Sequence, residues 1–95
     1  MTKEEISKVL DDLIVDLGDD AEVGEAMVVF YNKSKAYSLH RAENNSWDVL
    51  TKLYPGRVTP LNDWEDIKDL DDIIECLPAE EVVKRGGIPE ILNLL

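Results

Sequence analysis

Between Lys3 and Tyr31 the spacing of apolar residues changes from helical to strand-like, and that change limits the fold more than any other feature of this chain. Ile6, Val9, Leu10, Leu13, Ile14 and Leu17 recur at intervals of three and four, which puts all six on one stripe of an amphipathic helix. Thr2 with Glu5 three residues on suits a capping box, and Gly18 suits a left-handed stop, so the spacing predicts a helix over Lys3 to Leu17. Ala26 to Tyr31 is instead rich in β-branched and aromatic side chains. Ala36 to Arg41 alternates again after Asn32-Lys33-Ser34-Lys35, and the two runs predict a hairpin. With Lys33 and Ser34 as its two-residue turn, Phe30 faces Tyr37 and Val28 faces Leu39, on the side of the hairpin that helix 1 covers. Met27, Val29, Tyr31, Ser38 and His40 form a second, half-apolar side. Two strands alone are marginal in water, so a third strand at Arg57 to Leu61, or a second copy of the chain, is expected to extend the sheet.

Further along, Ser46 before Trp47, Leu50, Leu53 and Tyr54 predicts a short helix ending at Pro55-Gly56. Asn62 with Glu65 suggests another capping box, and Trp64, Ile67, Leu70, Ile73, Ile74 and Leu77 predict an acidic helix, broken near Asp69, that ends at Pro78. Ala79 to Arg85 reads as a short helix stopped by Gly86-Gly87, followed by a last apolar turn from Ile88. The expected fold is a single α+β domain over residues 1–95: an N-terminal helix, a hairpin with a short third strand, then three or four short helices.

Charge is distributed unevenly over this framework. Residues 1–25 hold nine carboxylates against two lysines, and residues 62–95 hold ten against three basic groups, so each flank carries −7. Residues 26–61 carry +3, and the whole chain −11. So acidic a molecule repels phosphate backbones and anionic lipid heads, and attracts basic surfaces through a field that salt weakens. Because 44% of the residues are hydrophobic, the chain is not a disordered acidic tail. No apolar run approaches the ~20 residues a membrane helix needs. The lone Cys76 cannot close an internal disulfide, and the polar start lacks a signal-peptide core; both point to a cytoplasmic protein.

Chemical motifs are scarce. A calcium loop beginning at Asp19 would put Ala21 and Val23 where oxygen ligands are needed, and only Gly24 fits. Asp69 and Asp71 on a helix point ~200° apart, which does not suit magnesium. Four soft ligands for structural zinc are not available. His40 and Cys76 are the only imidazole and the only thiol. They read as a residue of the second hairpin side and a small buried hydrophobe on a helix. No nucleophile elbow, dinucleotide fingerprint or phosphate loop occurs, so no enzyme, cofactor or metal is expected. Lys33, Lys35, Arg41, Lys52 and Arg57, interleaved with Tyr31, Tyr37 and Trp47, offer too little positive charge to bring a −11 molecule to nucleic acid. They are expected to soften the repulsion of the acidic flanks. Trp47 and Trp64, at the apolar spacing of their helices, are expected in the core.

The leading functional expectation is a non-enzymatic binding protein that docks a basic surface of another macromolecule. Its contact residues are Glu5, Asp12, Asp16 and Asp19 from the first flank, and Glu65, Asp69 and Asp72, at i, i+4 and i+7, from the second. In size and charge alone the chain resembles small phage-encoded inhibitors, including DNA mimics that block nucleases. That resemblance implies, as an alternative, inhibition of a nucleic-acid-binding protein. A third reading is an assembly component that dimerises through the hairpin edges and the side bearing Met27, Val29 and Tyr31.

Overall fold

The computed structural model describes residues 1–18, 26–41 and 48–93. They form a five-stranded, wholly antiparallel sheet packed between helices, an α+β domain. Helix α1 spans Lys3–Leu17. The strands are β1 (Met27–Tyr31), β2 (Ala36–Arg41), β3 (Asp48–Tyr54), β4 (Thr59–Leu61) and β5 (Glu75–Pro78), in the spatial order β4-β3-β2-β1-β5. Helices α2 (Ala79–Lys84) and α3 (Ile88–Asn93) follow.

Helix α1 begins and ends as its sequence predicts. Glu5 N–H donates to Thr2 Oγ1 at 3.1 Å and Thr2 N–H to Glu5 Oε1 at 2.9 Å, satisfying two amides that the first turn leaves free. Gly18 closes the helix at φ +73°, where a side chain would strain the backbone, and its N–H donates to the Ile14 carbonyl. The hairpin has the expected register: Val28 lies opposite Leu39 and Phe30 opposite Tyr37. Asn32 builds the turn, its Oδ1 accepting from Ser34 N at 2.9 Å and Lys35 N at 2.7 Å.

Two predicted helices are absent. Residues 48–54 form a strand along the free edge of β2, while Ser46 and Trp47 lie outside the described residues. A helix of that length is marginal by itself, whereas a strand with Val49 and Thr51 gives β2 a backbone partner. A bulge at Ala36/Tyr37 absorbs the irregular spacing of Leu53 and Tyr54. The short strand expected within Arg57–Leu61 is present as Thr59–Leu61, on the far edge of β3.

The predicted helix over 62–77 is instead two single 3₁₀ turns, Trp64–Asp66 and Leu70–Asp72, followed by β5. Trp64, Ile67, Leu70 and Ile73 are spaced by three throughout. That interval drifts around an α-helix but stays on one side when a turn takes three residues. The first turn is capped by Asp63 and Asp66 rather than by Asn62 and Glu65. Cys76, expected on a helix, lies on β5 opposite Phe30.

Alternation along the strands divides the core between two faces of the sheet. Face one holds Val28, Phe30, Tyr37, Leu39 and Leu50, covered by Ile6 and Leu10 of α1 and by Ile67 and Ile73. Phe30 stacks on Tyr37 and on the half-buried Trp64, with ring centroids 5.5 and 5.9 Å apart. Face two holds Val29, Tyr31, Ala36 and Leu77, covered by Val82 of α2 and Ile91 of α3. Gly86 and Gly87, both at positive φ, end α2 by donating to the carbonyls of Val83 and Val82. No helix among the described residues is long and apolar enough to cross a membrane.

Candidate functional site

The two acidic segments cover the same face of the sheet. Helix α1 and residues 62–74 both pack on face one, and Met1 N lies 3.4 Å from the carbonyl oxygens of Leu70 and Ile73, beside the second 3₁₀ turn. Residues 1–18 and 62–74 together hold eleven carboxylates against Lys3, Lys8 and Lys68, and all of these carboxylates except Asp69 are exposed. An anionic layer therefore forms over face one from segments more than forty residues apart.

Its members are held differently. Glu5 is engaged in the helix cap, which holds its carboxyl below the usual range through the backbone and hydroxyl hydrogen bonds of Thr2. Asp12 accepts from Lys8 one turn earlier at 2.8 Å, an exposed pair of little energetic weight. Asp16 and Glu65 are exposed, and Asp72 is exposed on the second 3₁₀ turn. Asp19 lies outside the described residues.

Asp69 departs from the sequence expectation. It does not continue a solvent stripe with Glu65 and Asp72, because no helix joins them, and its side chain is 17% exposed. Tyr37 OH donates to its Oδ1 at 2.7 Å, Asn32 Nδ2 donates to its Oδ2, and Lys35 Nζ stands 3.9 Å away. Burial opposes ionisation of this carboxyl. The donors Tyr37 and Asn32 and the charge of Lys35 outweigh it, leaving the group below its ordinary range. Burial, then the bond to Asp69, pushes the Tyr37 phenol well up. Asp69 thus pins the 62–74 segment to β2 and to the turn that follows β1, so its carboxylate is engaged within the fold.

Arg41 does for α1 what Asp69 does for the 62–74 segment, through Asp11 in the middle of the helix. Its Nε lies 2.7 Å from Asp48 Oδ1 and its Nη2 lies 2.9 Å from Asp11 Oδ1, tying the helix to β2 and β3. Arg41 and Lys35 therefore neutralise part of the layer from within, as expected of the central basic groups. The exposed remainder includes Glu4, Asp16, Glu65, Asp71 and Asp72.

Spacing placed Asn32 in the turn and Tyr37 opposite Phe30, and charge placed Arg41 among the groups that soften the flanks, but neither identified their contacts to Asp69, Asp11 and Asp48. Pairing across 32 and 37 positions, as between Asp69 and Tyr37 or Asn32, leaves no trace in spacing.

Other reactive groups are placed apart. Cys76 packs against the face-one cluster, whereas His40, opposite Met27, belongs to face two, so the sheet separates the thiol from the imidazole. Burial, with a lesser contribution from Glu75, pushes the Cys76 thiol up to about 12, far from thiolate chemistry at neutral pH. Among the described residues no three His, Cys, Asp or Glu side chains are grouped to hold a metal ion. The hairpin has neither edge free: β3 pairs with β2 and β5 with β1, while α2 and α3 pack on the side bearing Val29 and Tyr31. No family model, curated protein or solved structure matches the chain.

Proposed function

We propose that this protein is a non-enzymatic binding module that docks a basic surface of another macromolecule through the acidic layer over face one. The observation that carries this reading is the shared placement of α1 and residues 62–74, which adds two acidic segments into one field on one side of the molecule. Asp16, Glu65 and Asp72 supply exposed charge, with Glu5 and Asp12 on the same helix. Broken 3₁₀ turns give no regular row of carboxylates, which favours docking over imitation of a DNA duplex, whose charges fall every ~1.7 Å.

Affinity capture followed by association kinetics tests the reading. Raising ionic strength from about 0.01 M to 0.15 M shortens the screening length from ~30 to ~8 Å, and association is expected to slow steeply. The combined substitutions Asp16→Lys and Glu65→Lys are expected to slow it about tenfold or more. Glu80→Lys with Glu90→Lys makes the same change in net charge on α2 and α3, and is expected to have little effect. Equal effects of the two pairs, or binding indifferent to salt, would defeat the proposal.

A further inference from the structure

The β1–β2 turn and the chain from Asp69 to Ile74 bound a recess of about 540 Å³. Small-molecule sites commonly occupy ~300–1,000 Å³, so the space suits a molecule of a few residues rather than a single ion. Lys33 and Lys35 line it on one side, Asp69 and Asp72 on the other, and the half-exposed Ile74 adds an apolar surface. A simple anion would meet the carboxylates, and a simple cation would meet the lysines.

The recess is built on fixed groups. Asn32, only 5% exposed, organises the turn through Oδ1 and holds Asp69 through Nδ2, while Tyr37 holds the other carboxylate oxygen. The two walls are thereby tied to each other before any ligand arrives, which lowers the ordering cost of binding. Lys35 and Asp69 are already near one another at 3.9 Å. The charged groups left at the exposed rim are the ammonium of Lys33 and the carboxylate of Asp72.

We propose that this recess binds a short zwitterionic peptide. Lys33 takes its terminal carboxylate, Asp72 takes its ammonium, and an aliphatic side chain rests on Ile74. Such a ligand brings both signs of charge and no net charge, matching the two walls at once. The recess shares Asp72 with the acidic layer, but peptide binding there needs no macromolecular partner.

The test is a titration of the isotope-labelled protein with alanyl-leucine, followed by backbone amide chemical shifts. Saturable shifts confined to residues 32–35 and 69–74 are expected. N-acetyl-alanyl-leucine amide, which lacks both terminal charges, is expected to produce none. Lys33→Ala and Asp72→Ala, at exposed positions that leave the fold intact, should each weaken binding about two- to fivefold, the scale of one solvent-exposed charge contact. Exchange of the two charges, Lys33→Glu with Asp72→Lys, should restore most of the affinity. No localised shifts, equal binding of the capped peptide, or unchanged affinity in both alanine variants would overturn the proposal.

Discussion

Face one of the sheet is covered by a 15-residue helix that buries Ile6 and Leu10 completely, and by a segment whose apolar residues come every third position. Face two is covered by two helices of six residues, which bury Val82 and Ile91. Each face also has a tyrosine of the central hairpin donating to a carboxylate from the C-terminal third: Tyr37 to Asp69 on face one, Tyr31 to Glu75 on face two. Asp69 has two hydrogen-bond donors and little exposure, whereas Glu75 is 39% exposed and shares its second contact with Arg85 at 3.5 Å. One tyrosine–carboxylate pair therefore anchors a cover segment from inside, and the other braces a helix from the surface. Apolar burial and the better-shielded polar contact coincide on face one, so that side should hold most of the stability, and α2 and α3 should open first.

Substitution can break this comparison. Phe30→Ala removes the ring stacked between Tyr37 and Trp64 and is expected to cost about 3–5 kcal/mol in urea unfolding, against about 2 kcal/mol for Val82→Ala on face two. Equal losses would show the two covers to be equivalent. Asp69→Ala leaves Tyr37 and Asn32 without their acceptor and should cost about 2 kcal/mol, while Glu75→Ala should cost no more than ~1 kcal/mol. Tyr37→Phe combined with Asp69→Ala in a double-mutant cycle should show strong coupling.

The pH dependence sharpens the same contrast. Because the folded Asp69 carboxyl lies below its ordinary 3.8, its contribution is present above that value and is lost as pH falls through the lower folded value. Asp69→Asn should therefore flatten the acid limb of the stability profile, and an unchanged limb would refute the assignment. Burial, then the bond to Glu75, pushes the Tyr31 phenol up from 10 to about 12. Its contribution is full below pH 10 and falls away as pH rises to about 12, a loss that Tyr31→Phe should reduce. The smallest expected change is at the start of α1: Thr2→Ala removes the cap and should cost ~1 kcal/mol, read as a lower unfolding midpoint.

Helix α1, its two caps, the β1–β2 register and the stop at Gly86-Gly87 were legible because each is encoded by neighbours within a few positions. For the same reason, Asp63 to Glu75 could be seen to be acidic but not to be folded as separated turns. The apolar interval of three was visible, yet without the sheet beneath it nothing distinguished it from a loose helical stripe. Residues 48–54 carried both helical spacing and β-branched side chains, and the unfilled edge of β2 decided between them.

Local spacing by itself determined helix α1 and the β1–β2 hairpin, and the counts of acidic and basic residues determined the charge of each stretch. Only the tertiary structure decided that the two acidic stretches share one face, that Asp69 turns inward to Tyr37 and Asn32, and that Cys76 and His40 lie on opposite sides of the sheet. The physical reason is that periodicity acts over a turn or a strand, whereas strand pairing and polar contacts join residues dozens of positions apart and are chosen by what the whole core can bury.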